Sequence, residues 1–453
     1  MGTPDVIIIG AGPAGLSAAA ALSRGGLEPL VLEKAARHGG SLLTLREAGY
    51  IAEGGPNSLM LEKDGVEDFF RSFGLVPQEA SASAKKRFLV NRGRLVAAPS
   101  GPLSAITTPL LSLRGKLRIL AEPFSRRAPE GVDESVADFV ARRLGRETAV
   151  RLVDPMVSGI YAGDIHRLSL RSAFPRLKEM EELHGSLLKA GLRKGRAAPV
   201  RRIVNFPGGM RDITDTLAGF LGRERVATGA RITSITQGPE GAWRVEWLDP
   251  QGAPQRAAAP RLILATPPWA WKEMPLPAPL SSLLSDWETL EAPPITVVSL
   301  GFNRADVGHA LDGFGALAPG IEGRNLLGLL FQSSLFPDRA PEGRVLMTCF
   351  IGGTRAPHLA RLDDAGLRAL ALAEVSTLVN ARGGPEFFRA TRWERAIPQY
   401  NIGHSARLAA LDEAEHRFAG LHFTGNYRAG VALPKTIHHA MQTAATILSK
   451  AKG

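Results

Sequence analysis

The hydrophobic pattern at the start of the chain predicts a strand, a helix and a second strand. Residues 5–9 (DVIII) form a short β-branched run that ends at glycine, which is typical of a buried parallel strand. Residues 13–24 have a proline in the first turn and a glycine pair after the last, the pattern of a capped helix. Residues 30–32 (LVL) predict the second strand, which completes a βαβ unit.

The rest of the chain alternates between helical and strand-like patterns. Helical spacing of apolar residues predicts helices over 60–76, 104–125, 134–158, 363–381 and 435–450. A further helix is expected to start at 207–209 (PGG), after a basic linker over 186–202. Strands are predicted at 231–235, 242–248, 261–265 and 422–424, and alternate with turns over 295–350.

The length and composition place limits on the class of protein. A chain of 453 residues is too long for one ordinary core, so we expect two or three domains. A single cysteine, Cys349, excludes an intrachain disulfide and favours a reducing, intracellular location. No stretch reaches ~18–20 uninterrupted apolar residues, so we expect no transmembrane helix.

The charge is concentrated in one region. Residues 81–202 contain 24 Lys and Arg against 11 Asp and Glu, whereas the whole chain carries a net charge of +11. A segment of this kind suits an anionic lipid surface, an anionic substrate or nucleic acid. No nucleic-acid-binding module accompanies it, so we expect no nucleic-acid partner.

A glycine-rich motif lies where the first strand meets the first helix. The motif G-x-G-x-x-G comprises Gly10, Ala11, Gly12, Pro13, Ala14 and Gly15. In this position Gly12 lets the backbone approach a pyrophosphate at the helix N-terminus, and Gly15 lets the helix pack on the strand. Glu33, at the end of the second strand, is placed to accept hydrogen bonds from a ribose. We therefore predict a dinucleotide site.

The residues after Glu33 indicate which dinucleotide binds. Arg37 and the pair Gly39-Gly40 complete a pattern E-x-x-x-R-x-G-G, which resembles the second half of the FAD motif of the flavin amine-oxidase superfamily. A C-terminal segment, with Asn426 before a predicted helix, resembles the return of that superfamily's chain to the flavin. The superfamily often has aspartate at the position of Asn426, a departure compatible with FAD.

Further motifs resemble a narrower family, the oxygen-dependent protoporphyrinogen oxidases of haem biosynthesis. These motifs occur in order along almost the whole chain: 53–58 (EGGPNS), 86–88 (KRF), 122–124 (EPF), 154–155 (DP), 159–164 (GIYAGD), 168–169 (LS), 174–175 (FP), 208–210 (GGM), 336–341 (FPDRAP), 350–353 (FIGG), 398–400 (PQY), 403–404 (GH) and 425–426 (GN).

The resemblance implies a set of site residues. Substrate contacts would be Arg87 at a propionate, Asn57, Gly159 through its backbone, and the packing residues Leu317, Leu330 and Phe350. Residues toward non-covalent FAD would be Gly10, Ala11, Gly12, Pro13, Ala14, Gly15, Glu33, Lys34, Arg37, Gly40, Ser41, Gly55, Pro56, Asn57, Ser58, Ile232, Trp393, Asn426, Val431, Ala432 and Leu433. No catalytic side chain and no metal site are expected, because the flavin supplies the chemistry.

The family's reaction is the oxidation of protoporphyrinogen IX to protoporphyrin IX, in which three O2 become three H2O2. Oxidation of coproporphyrinogen III to coproporphyrin III stays open, because both macrocycles need the same flavin geometry. An amine oxidase or desaturase is a more distant alternative, although four tyrosines offer little material for the aromatic cage typical of amine oxidases. A non-catalytic porphyrin escort is the alternative outside enzymes.

The expected fold is mixed α/β (α+β), with a Rossmann-type FAD-binding domain, a sheet-based substrate domain and a helical insertion. The FAD-binding domain would comprise 1–80, 203–270 and 418–453, the substrate domain 81–96 and 271–417, and a membrane-associated helical domain 97–202. We expect a cytoplasmic protein bound peripherally to the inner face of the cell membrane, or an organellar one if a targeting segment precedes this chain. The next haem-pathway enzyme and a second copy of the chain are candidate partners.

Overall fold

We describe the computed structural model of the chain over residues 3–99, 101, 104, 107–129, 131–193 and 201–451. Its strands, in chain order, are β1 (Val6–Ile9), β2 (Pro29–Glu33), β3 (Thr44–Glu47), β4 (Tyr50–Glu53), β5 (Leu59–Leu61), β6 (Gln78–Glu79), β7 (Phe88–Asn91), β8 (Arg94–Ala97), β9 (Arg202–Asn205), β10 (Val226–Thr228), β11 (Arg231–Gln237), β12 (Trp243–Leu248), β13 (Pro254–Ala259), β14 (Arg261–Leu264), β15 (Ile295–Asn303), β16 (Gly315–Leu317), β17 (Gly328–Leu330), β18 (Arg344–Gly352), β19 (Phe387–Trp393) and β20 (Leu421–Phe423).

The α-helices are α1 (Pro13–Arg24), α2 (Val66–Ser72), α3 (Leu113–Leu120), α4 (Val136–Leu144), α5 (Arg146–Thr148), α6 (Asp154–Tyr161), α7 (Leu170–Ala173), α8 (Pro175–His184), α9 (Leu187–Arg193), α10 (Asp212–Leu221), α11 (Ala278–Leu284), α12 (Gln332–Leu335), α13 (Asp364–Val379), α14 (His404–Arg417) and α15 (Leu433–Ala451). No helix of the described ranges is both long enough and apolar enough to cross a bilayer.

A five-stranded parallel sheet forms around the predicted βαβ unit. Its strand order is β10-β2-β1-β14-β20, and these strands come from residues near the start, the middle and the end of the chain. Both faces are covered: Val6 and Ile8 pack in the core that includes α1, α10 and α15, whereas Ile7 and Ile9 pack against the core around Trp243. The predicted strand over 5–9 and helix over 13–24 are confirmed.

A seven-stranded mixed sheet carries the second half of the molecule. Its order is β19-β15-β18-β17-β16-β7-β8, and α13 covers one of its faces. On that face Val298 and Cys349 lie fully buried in the core. Because side chains alternate along a strand, the neighbouring residues Val297 and Phe350 point to the opposite face.

Residues 107–129 and 131–193 contain helices α3 to α9 and pack over that opposite face. Their core contains Val136, Phe139 and Val157 and extends to Tyr400. The predicted continuous helix over 134–158 is wrong: Gly145, with φ 94° and ψ 152°, ends α4, and a π-helical turn at Ala149–Val153 precedes α6. The helix predicted over 104–125 is not continuous: Ser104 and Thr107 are helical, non-helical residues follow, and α3 begins at Leu113.

Two other sequence-based boundaries also differ. Residues 60–76 contain strand β5 and the short helix α2 instead of one helix, because Leu59–Leu61 pairs with β9. The linker predicted over 186–202 contains α9 and the first residue of β9, and its residues 194–200 lie outside the described ranges. Long-range pairing decided the strands β5 and β9, and local spacing does not reveal such pairing.

Candidate active site

The first glycine loop is shaped by the packing of α1 on β1. Gly10 has φ +108°, and a Cβ on Gly15 would lie 1.9 Å from the Gly10 carbonyl oxygen, so the fold itself requires glycine there. At Gly12 the situation differs, because an added Cβ would meet only the Gly40 Cα, at 3.9 Å. The backbone at Gly12 is ordinary for any residue, with φ −80° and ψ −176°. Open space therefore faces Gly12 at the N-terminus of α1.

The N-terminus of α1 suits a phosphate group. No side chain caps this helix, and its first turn contains no acid. Unsatisfied N–H groups and the helix dipole both favour a negative charge in this position. Glu33 lies beside the loop: Oε2 accepts the Ala11 N–H at 2.8 Å, and Oε1 accepts the Ala35 N–H at 2.9 Å. Its neighbour Lys34 forms an exposed ion pair with Glu273.

The second glycine pair lies directly against the first loop. The Gly39 N–H donates to the Ala11 carbonyl at 2.7 Å, and Gly40 has φ +53° with its Cα side facing Gly12. Arg37 donates to the carbonyls of His38 and Gly40 at 3.2 and 2.8 Å. The two halves of the predicted FAD motif therefore form one glycine-lined surface.

A third predicted segment joins this surface. A Cβ on Gly55 would lie 2.1 Å from the Ser41 carbonyl oxygen, so the chain passes here with no room for a side chain. The Trp393 indole N–H donates to the Gly54 carbonyl at 2.6 Å. Loop 54–58, which contains Pro56 and Ser58, therefore lies between Ser41 and strand β19.

Asn57 offers an acceptor that nothing in the described ranges uses. Its side chain is buried, and Nδ2 donates to the Gly55 carbonyl at 2.8 Å. Its backbone carbonyl accepts from Asn205 Nδ2 at 2.9 Å, whereas Oδ1 is buried without a partner among the described residues. A buried acceptor without a donor costs about 1–3 kcal/mol, which points to a donor on a bound molecule.

Glu53 holds this loop from behind, a role that the sequence reasoning missed. Its buried carboxyl accepts from Thr44 Oγ1 at 2.7 Å, the Met210 N–H at 2.9 Å and Asn205 Nδ2 at 3.1 Å. Burial raises the pKa of Glu53, against the opposing effect of these donors. Since Asn205 is 152 residues away in the chain, only the folded structure reveals the link.

The C-terminal segment approaches the same region. Tyr400 Oη donates to the Asn426 carbonyl at 2.6 Å and accepts the Gly430 N–H at 3.0 Å. Val431 and Ala432 immediately precede the 19-residue helix α15, which begins at Leu433 and has no acid in its first turn. Ile232 lies in β11, which follows β10 at the edge of the parallel sheet.

His404 lies behind this segment and has a structural role. Its ring stacks on Tyr400 with centroids 4.0 Å apart, and Nε2 lies 3.0 Å from the Tyr427 carbonyl oxygen. Burial lowers the pKa of His404 to about 4. A neutral, fully buried ring suits packing and does not suit a general base in a cleft.

Helix α6 packs against one face of the seven-stranded sheet, and we refer to the region between them as the cleft. Leu89, Leu317, Gly328 and Phe350 are register partners across four neighbouring strands, so they share one face. Leu330 lies two residues after Gly328, and Trp393 lies two residues after Thr391, which pairs with Val297 beside Phe350. Both therefore lie on the same face, because side chains alternate along a strand. Four of the predicted site residues are thus brought together on one surface: Leu317, Leu330, Phe350 and Trp393.

Helix α6 forms the other wall of the cleft. A Cβ on Gly159 would lie 2.7 Å from Leu317 Cδ2, so the helix and the sheet touch there. Met156 and Ile160, each 42% exposed, flank Gly159 on the same helix face. The sequence reasoning did not single out these two residues, although their i, i+4 spacing was visible.

Arg87 lies at the edge of the sheet face, next to β7. Its guanidinium carbon is 5.5 Å from the centroid of the Phe314 ring, and the residue is exposed. No acid or hydrogen-bond acceptor holds this guanidinium among the described residues. Its neighbour Lys86, in contrast, is paired with Asp312 at 2.5 Å. Arg87 is therefore available to a carboxylate ligand.

The described residues fit a flavin dinucleotide. They combine the open space at Gly12, a helix N-terminus aimed at it, and the unused buried acceptor of Asn57. A bound flavin would supply a two-electron acceptor for the substrate. The sheet face that carries Phe350 and Trp393 presents apolar side chains on which a flat, hydrophobic substrate would pack.

Comparisons with known proteins agree with this description. The sequence profile described as flavin containing amine oxidoreductase matches residues 13–448. The chain is 31% identical to a chloroplastic protoporphyrinogen oxidase of Oryza sativa, over 98% of this chain and 88% of the relative. It is 28% identical to a coproporphyrinogen III oxidase of Bacillus subtilis, over 96% of both chains. A crystal structure from Exiguobacterium sp. shares the fold, with a TM-score of 0.82 and 22% identity over 99% of this chain and 100% of the other.

Proposed function

The chain belongs to the flavin-containing amine oxidoreductase family, and we propose that within it the protein oxidises protoporphyrinogen IX to protoporphyrin IX. The reaction removes six hydrogens from the macrocycle, as three two-electron steps, while three O2 are reduced to three H2O2. That the protein is an oxidase with a flavin cofactor follows from its family and its relatives. The substrate is the further step proposed here.

The observation that carries the proposal is the combination of two facing apolar surfaces with an unpaired arginine at their edge. One wall is the sheet face with Leu317, Leu330 and Phe350, and the other is the apolar face of α6 around Gly159. At the edge stands the unpaired Arg87. A flat apolar macrocycle that bears two propionates matches this combination, because guanidinium binds carboxylate with two parallel hydrogen bonds.

We propose that the cofactor is FAD and that it binds without a covalent bond. Pyrophosphate would lie at Gly12, ribose at Glu33, and the flavin between loop 54–58, Trp393 and the start of α15. Cys349, the one thiol of the chain, lies on the core face of the seven-stranded sheet, away from this site. Burial raises its pKa to about 12, so it is a protonated, inaccessible thiol.

In this proposal the side chains position the substrate and do not transfer protons. Arg87 would bind a propionate, Phe350 would pack on a pyrrole ring, and Asn57 Oδ1 would accept a hydrogen bond from the bound flavin or macrocycle. The six-electron oxidation would require the macrocycle to present its methylene bridges in turn at the same place. Catalysis would then depend mainly on orientation and on the exclusion of water.

A second substrate has support from one specific comparison. The Bacillus subtilis relative is described as a coproporphyrinogen III oxidase and aligns over 96% of both chains. Coproporphyrinogen III has four carboxylates, and the excess of basic residues over 81–202 would suit them as well. The two substrates differ at the macrocycle edge and not at the bridge that is oxidised.

We also propose that the protein binds the inner face of the cell membrane peripherally. Within residues 113–124 of the basic region, four large apolar side chains are strongly exposed: Leu113 at 73%, Leu117 at 56%, Leu120 at 54% and Phe124 at 89%. The three leucines follow i, i+4, i+7 spacing on α3, whose sequence LRGKLRIL also carries Arg114 and Lys116. Such a helix suits the interface of an anionic bilayer.

Aerobic turnover tests the proposed function. The purified, FAD-loaded protein is incubated with protoporphyrinogen IX or coproporphyrinogen III while porphyrin fluorescence and peroxide are followed. We expect faster turnover of protoporphyrinogen and three peroxides per porphyrin. Faster turnover of coproporphyrinogen would change the assigned substrate, and turnover of neither would contradict the proposal.

A further inference from the structure

Arg355 connects three segments of the chain that lie far apart in sequence. It follows the end of β18 by three residues, and its guanidinium is largely buried between the sheet and α6. Nη2 donates to Asp154 Oδ2 and to Ser158 Oγ, each at 2.6 Å. Nη1 donates to the Ala318 carbonyl, also at 2.6 Å. One planar group therefore links β18 and the loop after β16 to the first turns of α6.

Asp154 closes this link from the other side. Its Oδ2 also accepts the Gly320 N–H at 2.8 Å, so the loop after β16 is held both by Arg355 and by Asp154. A guanidinium presents its donors in a fixed fork, which a lysine ammonium cannot reproduce. The three acceptors therefore require an arginine at this position, because both the positive charge and the directions of its N–H groups matter. We refer to Arg355, Asp154, Ser158, Ala318 and Gly320 as the cleft hub.

The residue before Arg355 holds the opposite end of the same helix. The Thr354 N–H donates to the Ala162 carbonyl at 2.9 Å, and Thr354 Oγ1 lies 3.3 Å from the same oxygen. Ala162 has φ +49° and ends α6. Two consecutive residues therefore fix both ends of an eight-residue helix, which is preceded by a π-helical turn instead of a regular helix.

Each linked segment carries a residue of the proposed cleft. Phe350 lies on β18 before Arg355, Leu317 is next to Ala318, and Gly159 is next to Ser158. The clearance between the walls is small, because an added Cβ on Gly159 would lie 2.7 Å from Leu317 Cδ2. A shift of α6 by the size of one methyl group would therefore change the width of the cleft.

We infer that Arg355 is a positioning residue that sets the separation of α6 from the seven-stranded sheet and so determines how tightly the cleft holds its substrate. The inference rests on the proposed function for the identity of that substrate. Arg355 itself does not contact the macrocycle in this account, because Asp154, Ser158 and Ala318 use its donors. Its effect passes through the placement of Gly159 and Leu317.

Three variants test the inference. Arg355→Met removes the charge and the fork but keeps the length of the side chain, whereas Arg355→Lys keeps the charge. The control, Arg361→Met, breaks a surface pair with Glu394 in which the side chains are 55% and 68% exposed. For each variant one measures flavin content, thermal unfolding, amide hydrogen exchange of residues 154–162, and kcat and KM for the better porphyrinogen.

For Arg355→Met we expect faster exchange in residues 154–162, KM raised about fivefold to twentyfold, kcat within about twofold and full flavin content, since a small misplacement weakens substrate binding. Arg355→Lys should shift KM in the same direction by a smaller factor and carries the test if the methionine variant does not accumulate. Arg361→Met should match the parent protein.

Two results would overturn the inference. First, Arg355→Met could show the same hydrogen exchange and the same KM as the parent, which would mean that the cleft hub does not position α6. Second, this variant could exchange faster across the whole chain and lose flavin, which would indicate a general structural role for Arg355. If the parent oxidises neither porphyrinogen, the proposed function fails, and the exchange of residues 154–162 still decides the hub: faster exchange confined to them supports it, and unchanged exchange contradicts it.

Discussion

At the scale of single residues, the chemistry depends on side chains that the fold leaves without partners. Asn57 Oδ1 is a buried acceptor, and Arg87 is an arginine without an acid. Their neighbours are satisfied: Asn205 supports the Asn57 backbone, and Lys86 is paired with Asp312. Unused polar groups beside an apolar face are therefore the features that most directly indicate a ligand.

Replacement of Arg87 by alanine tests the proposed contact with a propionate. We expect KM for protoporphyrinogen to rise about tenfold to a hundredfold, because a charge-assisted pair is lost, while flavin content stays at the parent's level. Steady-state kinetics and the flavin absorbance ratio measure the two quantities. The matched control is Arg256→Ala in β13, an exposed arginine far from the cleft in sequence and sheet. A parental KM in Arg87→Ala would refute the contact.

The buried histidines predict a loss of stability in acid. Burial lowers the pKa of His404, His422 and His439 to about 4, below the usual value near 6.5. The unfolded chain therefore binds more protons than the folded one between these values, so stability is present above pH 6.5 and is lost as pH falls toward 4. For His404 alone the loss at pH 5 is about 2 kcal/mol.

Urea unfolding at pH 7.5 and 5 measures this loss. His404→Phe keeps an aromatic ring on Tyr400, so the difference in unfolding free energy between the two pH values should shrink by about 2 kcal/mol. The control is His358→Phe, at an exposed histidine. An unchanged difference in His404→Phe would mean that this ring is protonated as easily in the fold as in the unfolded chain.

At the scale of elements, the two glycines of the first loop make opposite predictions. Gly15→Ala would place Cβ 1.9 Å from a backbone oxygen, so α1 must move from β1 and stability should fall. Gly12→Ala meets nothing closer than 3.9 Å, and its backbone is ordinary. We expect the Gly12 variant to fold with a parental Tm as apoprotein but to retain little flavin, because a methyl group would occupy the pyrophosphate space.

Thermal unfolding of apoprotein and the flavin-to-protein absorbance ratio separate these effects. A Gly12→Ala variant with a parental Tm and little flavin would show that glycine is required at this position for cofactor binding and not for folding. Parental flavin content in this variant would place the pyrophosphate elsewhere.

Helix α3 carries the prediction for membrane binding. The parent should sediment with vesicles that contain phosphatidylglycerol at low salt, and less at high salt, because basic residues surround the exposed leucines. The double variant Leu117→Glu with Phe124→Glu should bind at least about tenfold more weakly, since each substitution removes buried apolar area and adds repulsion. Val76→Glu, at a residue 60% exposed outside the basic region, is the control. Absence of binding by the parent at low salt would exclude the proposed contact.

The elements that the sequence predicts well are those determined by local pattern. Strand β1, helix α1 and the acid at the end of β2 follow from a β-branched run, a proline and glycines. Predictions were wrong where distant chain segments pair, as at Leu59–Leu61 with β9, or where a single glycine turns the chain, as at Gly145. The helical spacing of apolar residues predicts neither strand pairing with a distant segment nor a turn at a single glycine.

At the scale of the whole molecule, the site combines segments that are distant in sequence. Sequence motifs predicted the glycine-lined surface and the residues of the sheet face. The structure places Gly12 against Gly40, Ser41 against Gly55, and Gly159 against Leu317. The supporting contacts were not predictable, because Glu53 reaches Asn205 across 152 residues and Arg355 reaches Asp154 across 201. Such residues show no local pattern, and their function depends entirely on tertiary placement.

The domain division stays a proposal at this scale. Residues 1–80, 203–270 and 418–453 supply all five strands of the parallel sheet, which is what a single FAD-binding unit requires. Likewise, β7 and all but the last residue of β8 come from 81–96 and extend the seven-stranded sheet. The helical domain proposed over 97–202 supplies helix α6, which packs against the face of the seven-stranded sheet through Gly159 and Leu317.

The most direct test of the whole account is reduction of the bound flavin by substrate in a single turnover. Protein loaded with FAD is mixed with protoporphyrinogen IX without oxygen in a stopped-flow instrument, and the visible flavin band is followed together with porphyrin fluorescence. The account predicts bleaching of the flavin band at least as fast as steady-state turnover, with recovery when oxygen is admitted. A flavin that dithionite bleaches but that neither protoporphyrinogen IX nor coproporphyrinogen III reduces would contradict it.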